Sequence, residues 1–234
     1  MTYSAGVTTQ QRDRLAEMAV EPVRAGMLVG LGTGRAASRA IRALAARVKG
    51  ESLDVRCVAT SVASAELGKS LGLRVLEFEE AERIDYLFDG ADEVDGALRM
   101  IKGRGGAMTR EKIAAQSAEF RVYLVDASKL VTRLGEKHPL PVEALSYGLG
   151  ATRARLAALG SEGEIRTGEG GNRYVTDAGN PVLDVTVPEG ADVERLAREI
   201  DAIPGVVGHG LFLHEADEVL VEDASGAVTR RVRR

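Results

Sequence analysis

One short stretch of the sequence combines several ionisable side chains with a cluster of glycines. Residues 87–112 read LFDGADEVDGALRMIKGRGGAMTREK. Asp89 and Asp92 follow a hydrophobic run, Lys102 begins a glycine-rich loop, and Glu111 comes shortly after that loop. Residue types of this kind, at this spacing, are candidates for acid–base chemistry.

Each of these side chains has a possible chemical role. Two neighbouring carboxylates drive each other's pKa values apart, so Asp89 and Asp92 can act as an acid and a base. Lys102 can stabilise a developing oxyanion, and Glu111 is a candidate general base. The alternative is a solvated acidic turn followed by a flexible loop. The adjoining strand, the lysine and the glycines favour the functional interpretation.

The elements around this stretch predict an α/β fold. Hydrophobic runs that read as strands cover 27–31, 55–59, 73–78, 84–88 and 122–125. Helical segments alternate with them, starting near Thr8 and Gln11 and again at 62–71 and 112–118. This alternation indicates a parallel sheet with right-handed crossovers. Ligands bind beyond the carboxyl ends of such strands, where Asp89 and Asp92 fall.

A second loop has the character of an anion site. A strand runs into Gly32, Thr33, Gly34, Arg35 and Ala36, and a helix follows. Backbone N–H groups at a helix N-terminus favour an anion. The dinucleotide fingerprint needs a glycine at the position of Arg35, so the loop is predicted to hold a lone phosphate. Lys129 also follows a strand, either as a ligand contact or as an ordinary surface lysine.

The character of the chain changes after Leu134. Helical segments at 152–159 and 193–200, with strands at 174–176 and 182–187, indicate a small antiparallel α+β unit. The apolar segments 206–213 and 219–221 are predicted to rejoin the first sheet. The resulting division is a catalytic domain of residues 1–133 plus 204–234 and a small domain of residues 134–203.

Composition excludes several classes of protein. The chain has 234 residues and a formal net charge of -4, which argues against a nucleic-acid partner. The single cysteine, Cys57, excludes an intramolecular disulfide. The three histidines, His138, His209 and His214, lack metal-ligand spacing, so no metal site is expected. No apolar run could span a bilayer, and a soluble cytoplasmic protein is the expectation.

The central motifs resemble those of a known family, ribose-5-phosphate isomerase of the A type. The resemblance rests first on Asp89-Gly90-Ala91-Asp92-Glu93, Ile101-Lys102-Gly103 with Gly105, and Arg110-Glu111-Lys112. Further matches, in the order of the family, are Gly32-Thr33-Gly34, Thr60-Ser61, Ser128-Lys129, Leu140-Pro141-Val142-Glu143, Gly179-Asn180 and the segment 205–212. They cover nearly the whole chain.

The resemblance implies a Rossmann-like parallel-sheet domain with a smaller ferredoxin-like α+β domain, in a homodimer or homotetramer. It also implies cofactor-free interconversion of ribose 5-phosphate and ribulose 5-phosphate through an enediolate, a step of the non-oxidative pentose phosphate pathway. Glu111 would then carry the carbon-bound proton and Lys102 would stabilise the enediolate. Asp89, and after it Asp92, would move the hydroxyl protons. The substrate would contact Thr33, Gly34, Arg35, Ala36, Asp89, Gly90, Ala91, Asp92, Lys102, Gly103, Arg104, Gly105 and Lys129.

The chain departs from the family pattern at the phosphate loop. Arg35 and Ala36 replace a serine and a threonine, and Arg12 and Arg14 stand in a region where the family tends to have lysines. Two rival functions remain open. One is a non-catalytic sugar-phosphate sensor, which would leave Glu111 without a role. The other is a nucleotide-binding oxidoreductase, which Arg35 disfavours.

Overall fold

A largely parallel sheet of seven strands forms the centre of the protein, as a computed structural model of residues 13–233 shows. The strands, in chain order, are β1 (Leu28–Leu31), β2 (Arg56–Ala59), β3 (Arg74–Val75), β4 (Ile84–Gly90), β5 (Glu93–Val94), β6 (Met100–Ile101), β7 (Ala118–Asp126), β8 (Leu140–Ala144), β9 (Gly163–Ile165), β10 (Val182–Val185), β11 (Val206–His209), β12 (Leu211–Phe212), β13 (Glu218–Glu222) and β14 (Val228–Val232). The helices are α1 (Arg14–Val20), α2 (Arg35–Glu51), α3 (Val62–Ser70), α4 (Met108–Gln116), α5 (Leu149–Ala158) and α6 (Val193–Asp201).

The seven strands have the order β14-β13-β7-β4-β1-β2-β3. Every neighbouring pair is parallel except β13 and β14, which are antiparallel. The parallel sheet predicted from the alternation of strands and helices is therefore confirmed. Because β1, β4 and β7 are neighbours, the loops that follow them meet at one edge of the sheet.

Alternate residues of the strands enter two separate cores. Leu31 and Phe88 pack with helices α1 and α2 on one face of the sheet. Leu28 and Leu87 pack with α4 on the other face. This alternation follows from the two-residue period of a strand, and it explains why these strands read as continuous hydrophobic runs.

Two smaller sheets complete the fold. The antiparallel sheet β11-β8-β10-β9 packs against α5 and α6 and has its own core, as the sequence predicted for a small α+β unit. A three-stranded sheet, β12-β6-β5, combines two strands that lie between β4 and β7 in the chain with one that lies between β11 and β13. Glu93, which is fully buried in β5, accepts hydrogen bonds from the backbone N–H groups of Gly135, Lys137 and His138 at 2.6–2.7 Å.

The C-terminal segments depart in part from the prediction. Residues 219–221 do join the large sheet, within β13. Residues 206–213 do not: β11 pairs with β8, and β12 pairs with β6, because their backbone groups find partners in the smaller sheets. The pairing places β11 with the small unit, whereas the division at 203/204 assigned it to the larger one. The division as a whole stays a proposal.

Several predicted boundaries are also wrong. The third strand is only two residues long, and a single helical turn at 78–80 follows it. Residues 174–176 form one isolated bridge rather than a strand. Helix α4 begins at Met108, four residues before the predicted start. The predicted helix start at Thr8 and Gln11 lies outside the described residues, within which Asp13 caps α1 by accepting from the N–H of Ala16.

No helix within residues 13–233 is long and apolar enough to cross a bilayer.

Candidate active site

A cavity of about 360 Å³ lies at the carboxyl ends of β1, β4 and β7. The structure brings together at its wall almost all of the site residues predicted from the sequence: Thr33, Gly34, Arg35, Ala36, Gly90, Ala91, Asp92, Lys102, Gly103, Arg104, Gly105, Glu111 and Lys129. Asp89 is the exception, because its side chain lies buried behind the cavity wall with 1% exposure.

Asp89 fixes the loop that follows β1. Its Oδ1 accepts hydrogen bonds from the N–H groups of Thr33, at 2.9 Å, and of Gly90, at 2.7 Å. A Cβ at Gly32 would lie 2.3 Å from the Asp89 carboxyl carbon, so only glycine fits there. Gly34 has φ +93°, which turns the chain into α2. The loop is thus held so that α2 begins at the cavity.

Lys102 lies between two carboxylates. Its Nζ is 3.0 Å from Asp89 Oδ2 and 3.5 Å from Glu111 Oε1, and it donates a hydrogen bond to the Gly90 carbonyl. The rings of Tyr123 and Phe212 lie 5.4 and 5.6 Å from Nζ. Burial lowers the pKa of Lys102, but Asp89 and Glu111 outweigh burial, and the resulting pKa is above its usual value. Lys102 is therefore a fixed positive charge at the cavity wall.

Glu111 is a buried carboxyl group in the first turn of α4, with 4% exposure. Burial raises the pKa of Glu111 to about 8; Lys102 opposes the rise, and Asp89 and Asp92 add to it. Its Oε2 is buried and accepts no hydrogen bond within the described part of the chain. A raised pKa and an unengaged oxygen are the properties required of a base that removes a carbon-bound proton near neutral pH.

Burial also raises the pKa of Asp89, although Lys102 and the two backbone N–H groups oppose the rise. Asp92, in contrast, is half-buried at the cavity wall, and its Oδ2 accepts from the N–H of Arg104 at 3.0 Å. The two aspartates are therefore not equivalent: Asp89 lies next to Lys102 behind the wall, and Asp92 faces the cavity beside the glycine loop.

The opposite end of the cavity is cationic. Arg35 and Ala36 begin α2, and Lys129 follows β7. Arg35 is exposed. Arg39, one helical turn further along α2, also lines the cavity and forms ion pairs with Asp13 at 2.6 Å and Glu222 at 3.0 Å. The helix N-terminus, Arg35 and Lys129 suit an anionic group, whereas Asp13 and Glu222 already balance the charge of Arg39.

Sequence reasoning missed five lining residues: Leu15, Arg39, Leu124, Val125 and Asp126. Two features of the sequence could have predicted four of these five residues. The spacing of four between Arg35 and Arg39 places both on one helix face, and 124–126 end a strand of the parallel sheet. For Leu15, nothing in the sequence pointed to the cavity.

The other predicted residues near the site have mainly structural contacts. Ser61 caps α3, because its side chain accepts from the N–H of Ser64. The hydroxyl oxygens of Thr60 and Thr33 lie 2.7 Å apart, so Thr60 contacts the first loop from behind. Cys57 is buried in β2. Across residues 13–233, no three His, Cys, Asp or Glu side chains lie close enough together to hold a metal ion.

Known proteins are similar to this chain in sequence. The family model for ribose 5-phosphate isomerase A (phosphoriboisomerase A) matches residues 56–226. Ribose-5-phosphate isomerase A of Roseiflexus castenholzii is 47% identical over 218 residues, which cover 93% of each chain. The protein of the same name from Gluconobacter oxydans is 46% identical over 213 residues, covering 90% of this chain and 92% of the relative.

Solved structures agree in fold. Ribose 5-phosphate isomerase A from Methanocaldococcus jannaschii superposes with a TM-score of 0.88 at 39% identity, covering 94% of this chain and 97% of the other. A D-ribose-5-phosphate isomerase in complex with phospho-erythronic acid superposes with a TM-score of 0.90 at 33% identity and the same coverage. The resemblance read from the central motifs is confirmed. The chain belongs to the ribose 5-phosphate isomerase A family.

Proposed function

We propose that this protein interconverts D-ribose 5-phosphate and D-ribulose 5-phosphate, the activity of its family, and that Glu111 carries the proton between C1 and C2. The residue roles rest on one observation, which is that Lys102 forms ion pairs with two carboxylates at the cavity wall. Lys102 lies within 3.5 Å of both Asp89 and Glu111, and Glu111 keeps one oxygen unengaged.

The proposed reaction moves two protons and no net electrons. The carboxylate of Glu111 removes the proton from C2 of the open-chain aldose, and the electron pair delocalises onto the carbonyl oxygen as an enediolate. The ammonium of Lys102 stabilises that negative charge. Glu111 then returns its proton to C1, and the hydroxyl proton on O2 moves to O1. One base suffices because C1 and C2 are adjacent.

A second acid–base group must move the hydroxyl protons and open the sugar ring. Asp89 and Asp92 are the two candidates. Asp92 lines the cavity, whereas Asp89 is buried and its oxygens already face Lys102, Thr33 and Gly90. This difference favours Asp92 for direct contact with the sugar and Asp89 for orienting Lys102 and the first loop.

The substrate phosphate would bind at the N-terminus of α2. Gly34, Arg35 and Ala36 at this helix end line the cavity, and so does Lys129. The sugar would then extend toward Glu111 along the glycine loop at 103–105. We infer this orientation from charge, because the anionic phosphate suits the cationic end and the carboxylates lie at the other.

The experiment is conversion of D-ribose 5-phosphate by the purified protein in buffer with EDTA and without added cofactor. We expect ketose to form, and in D₂O we expect deuterium at C1 of the product to the extent that the proton on Glu111 exchanges with solvent before it is returned. Glu111→Gln should nearly abolish conversion, and Glu119→Gln, the same change at an exposed ion-paired glutamate, should not. Binding of ribose 5-phosphate without any ketose formation would instead identify a non-catalytic sugar-phosphate sensor. Activity that EDTA removes and a divalent metal restores would refute the metal-free reaction.

The homodimer or homotetramer that the resemblance implies remains a prediction. Measuring the mass of the purified protein by light scattering tests it, and a monomer would contradict it.

A further inference from the structure

We propose that Arg166 and Tyr174, both from the small α+β unit, are positioning residues that hold the glycine loop Gly103–Gly105 in its substrate-binding conformation. This inference rests on the proposed function. It assigns a role in substrate binding to two side chains that lie outside the cavity wall.

Arg166 holds two successive carbonyl groups of the loop. Its Nη1 donates to the carbonyl oxygens of Gly103, at 3.1 Å, and Arg104, at 2.9 Å. Its Nε donates to Asp184 Oδ2 at 2.8 Å, and the Arg166 side chain is only 12% exposed. The carboxylate of Asp184 thus fixes the guanidinium in the plane from which it reaches the loop.

Tyr174 holds the next carbonyl group. Its hydroxyl donates to the carbonyl oxygen of Gly105 at 2.9 Å. The guanidinium carbon of Arg166 lies 5.5 Å from the centre of its ring, so the two side chains also support each other. A Cβ at Gly106 would lie 2.0 Å from the Tyr174 hydroxyl. The close approach of this tyrosine therefore requires glycine at position 106.

These contacts leave two backbone N–H groups of the loop available. The N–H of Arg104 donates to Asp92, and that of Gly106 donates to the Gly103 carbonyl. Gly103 and Gly105 have no acceptor for their N–H groups among residues 13–233. Both residues line the cavity. With the carbonyl groups held by the small unit, the loop can offer these N–H groups to substrate oxygens.

The contacts of Arg166 and Tyr174 with the three loop carbonyl groups form a clamp on the loop. The position of Lys102 does not depend on this clamp. Its backbone N–H donates to the Gly210 carbonyl at 2.9 Å, and the preceding strand β6 pairs with β12. Loss of the clamp should therefore loosen the binding loop while the charged group of the chemical step stays in place. The expected kinetic sign is a higher KM with little change in kcat, because binding shared by ground and transition states is lost.

The test compares Tyr174→Phe and Arg166→Met with two matched controls. Tyr147→Phe removes the same hydroxyl at a side chain that is 94% exposed. Arg153→Met removes an exposed guanidinium that pairs with Glu164. We expect Tyr174→Phe to raise KM for ribose 5-phosphate by about twofold to tenfold, the range for one hydrogen bond. Arg166→Met should raise it further, and the controls should match wild type.

Hydrogen–deuterium exchange of the 101–107 backbone supplies a readout that does not need activity. Both clamp variants should exchange faster there than wild type, while the controls should not. Tyr174→Phe keeps the test decisive if Arg166→Met fails to fold with Asp184 unpaired. An unchanged KM and unchanged exchange in a folded Tyr174→Phe would overturn the inference. An inactive wild type would refute the proposed function instead. The exchange measurement would still test whether Arg166 and Tyr174 hold the loop.

Discussion

At the scale of single residues, the proposed reaction depends on Glu111 as its base. The carboxylate of Glu111 is the only group of the proposed mechanism that touches the migrating proton. Glu111→Gln should lower kcat by roughly 10²–10⁴, the usual contribution of a general base. Steady-state assays with ribose 5-phosphate measure this loss. Near-normal turnover in a folded variant would remove Glu111 from the role.

Stability provides the folding control for this variant. The pKa of Glu111 is raised in the folded protein, so its stabilising contribution is complete below pH 4.5 and is lost as pH rises through about 8. The neutral amide of Glu111→Gln does not titrate. Thermal unfolding at pH 9 should therefore show the variant to be at least as stable as wild type, and a strong loss of stability would mean that its kinetics report misfolding.

The pH dependence of the reaction follows from the same group. With the pKa of Glu111 at about 8, only about a tenth of the protein carries the carboxylate at pH 7. We expect kcat/KM to rise about tenfold from pH 7 to pH 9 and to fall only when Lys102, whose pKa is above its usual value, loses its proton. A pH–rate profile that is flat between pH 6 and pH 9 would contradict this assignment.

Arg35 begins α2 in the loop that we propose to bind the substrate phosphate. If it contacts the phosphate, Arg35→Ala should raise KM by about threefold to tenfold with little change in kcat, less than for a buried charged hydrogen bond because Arg35 is exposed. The KM of wild type should also rise with salt more than that of the variant. Arg42→Ala, on the same helix but outside the cavity, is the control. An unchanged KM would transfer the phosphate contact to Lys129 or the loop backbone.

At the scale of elements, the first turn of α4 is hydrogen-bonded to a buried carboxylate of the small antiparallel sheet. The hydroxyl of Thr109, in the first turn of α4, donates a hydrogen bond to the carboxylate of Glu143 in β8. The other oxygen of Glu143 accepts from the Thr176 hydroxyl at 2.8 Å and the Asn180 amide at 3.0 Å. Since Glu111 lies two residues after Thr109, this network connects the helix that carries Glu111 to the small unit.

Thr109→Val keeps the shape of the side chain but removes the hydrogen bond. We expect the free energy of unfolding to fall by about 1–3 kcal/mol, because a buried acceptor loses a donor. Thr109→Ser should restore most of it. Thr132→Val, which breaks a similar threonine–glutamate bond on the surface, should cost much less. Urea unfolding measures all three, and equal losses at positions 109 and 132 would show that burial of the network is unimportant.

Local patterns predicted some of these elements and could not predict others. The parallel sheet and the residues at its carboxyl edge were predictable. The periodicities of strands and helices and the motif at 89–111 are patterns of residues close together in the sequence. The contacts of Arg166 and Tyr174 with the glycine loop join residues 62–69 positions apart, and no local spacing encodes them. The same holds for β11, whose apolar residues suit either sheet.

At the scale of the whole molecule, Glu93 connects the three-stranded sheet to residues 135–138, the segment that leads into the small unit. A carboxylate that accepts three backbone N–H groups has no equivalent in an amide, which would present its own donors. Glu93→Gln should lower the free energy of unfolding by about 1.5–3 kcal/mol. Glu136→Gln, at an exposed glutamate that also accepts a backbone N–H, should change it little. Denaturant unfolding tests this, and a neutral Glu93→Gln would refute it.

The chain completes its largest sheet last. Strand β7 is flanked by β4 and by β13, and β13 follows the whole small unit in sequence. Until residues 218–222 have been synthesised, strand β7, which contains the apolar run 122–125, has a row of unpaired N–H and C=O groups on one side. Such an edge is a template for pairing with other chains. On the ribosome, the nascent protein is therefore most prone to aggregate just before its final two strands emerge, and premature termination near residue 215 would leave it in that condition permanently.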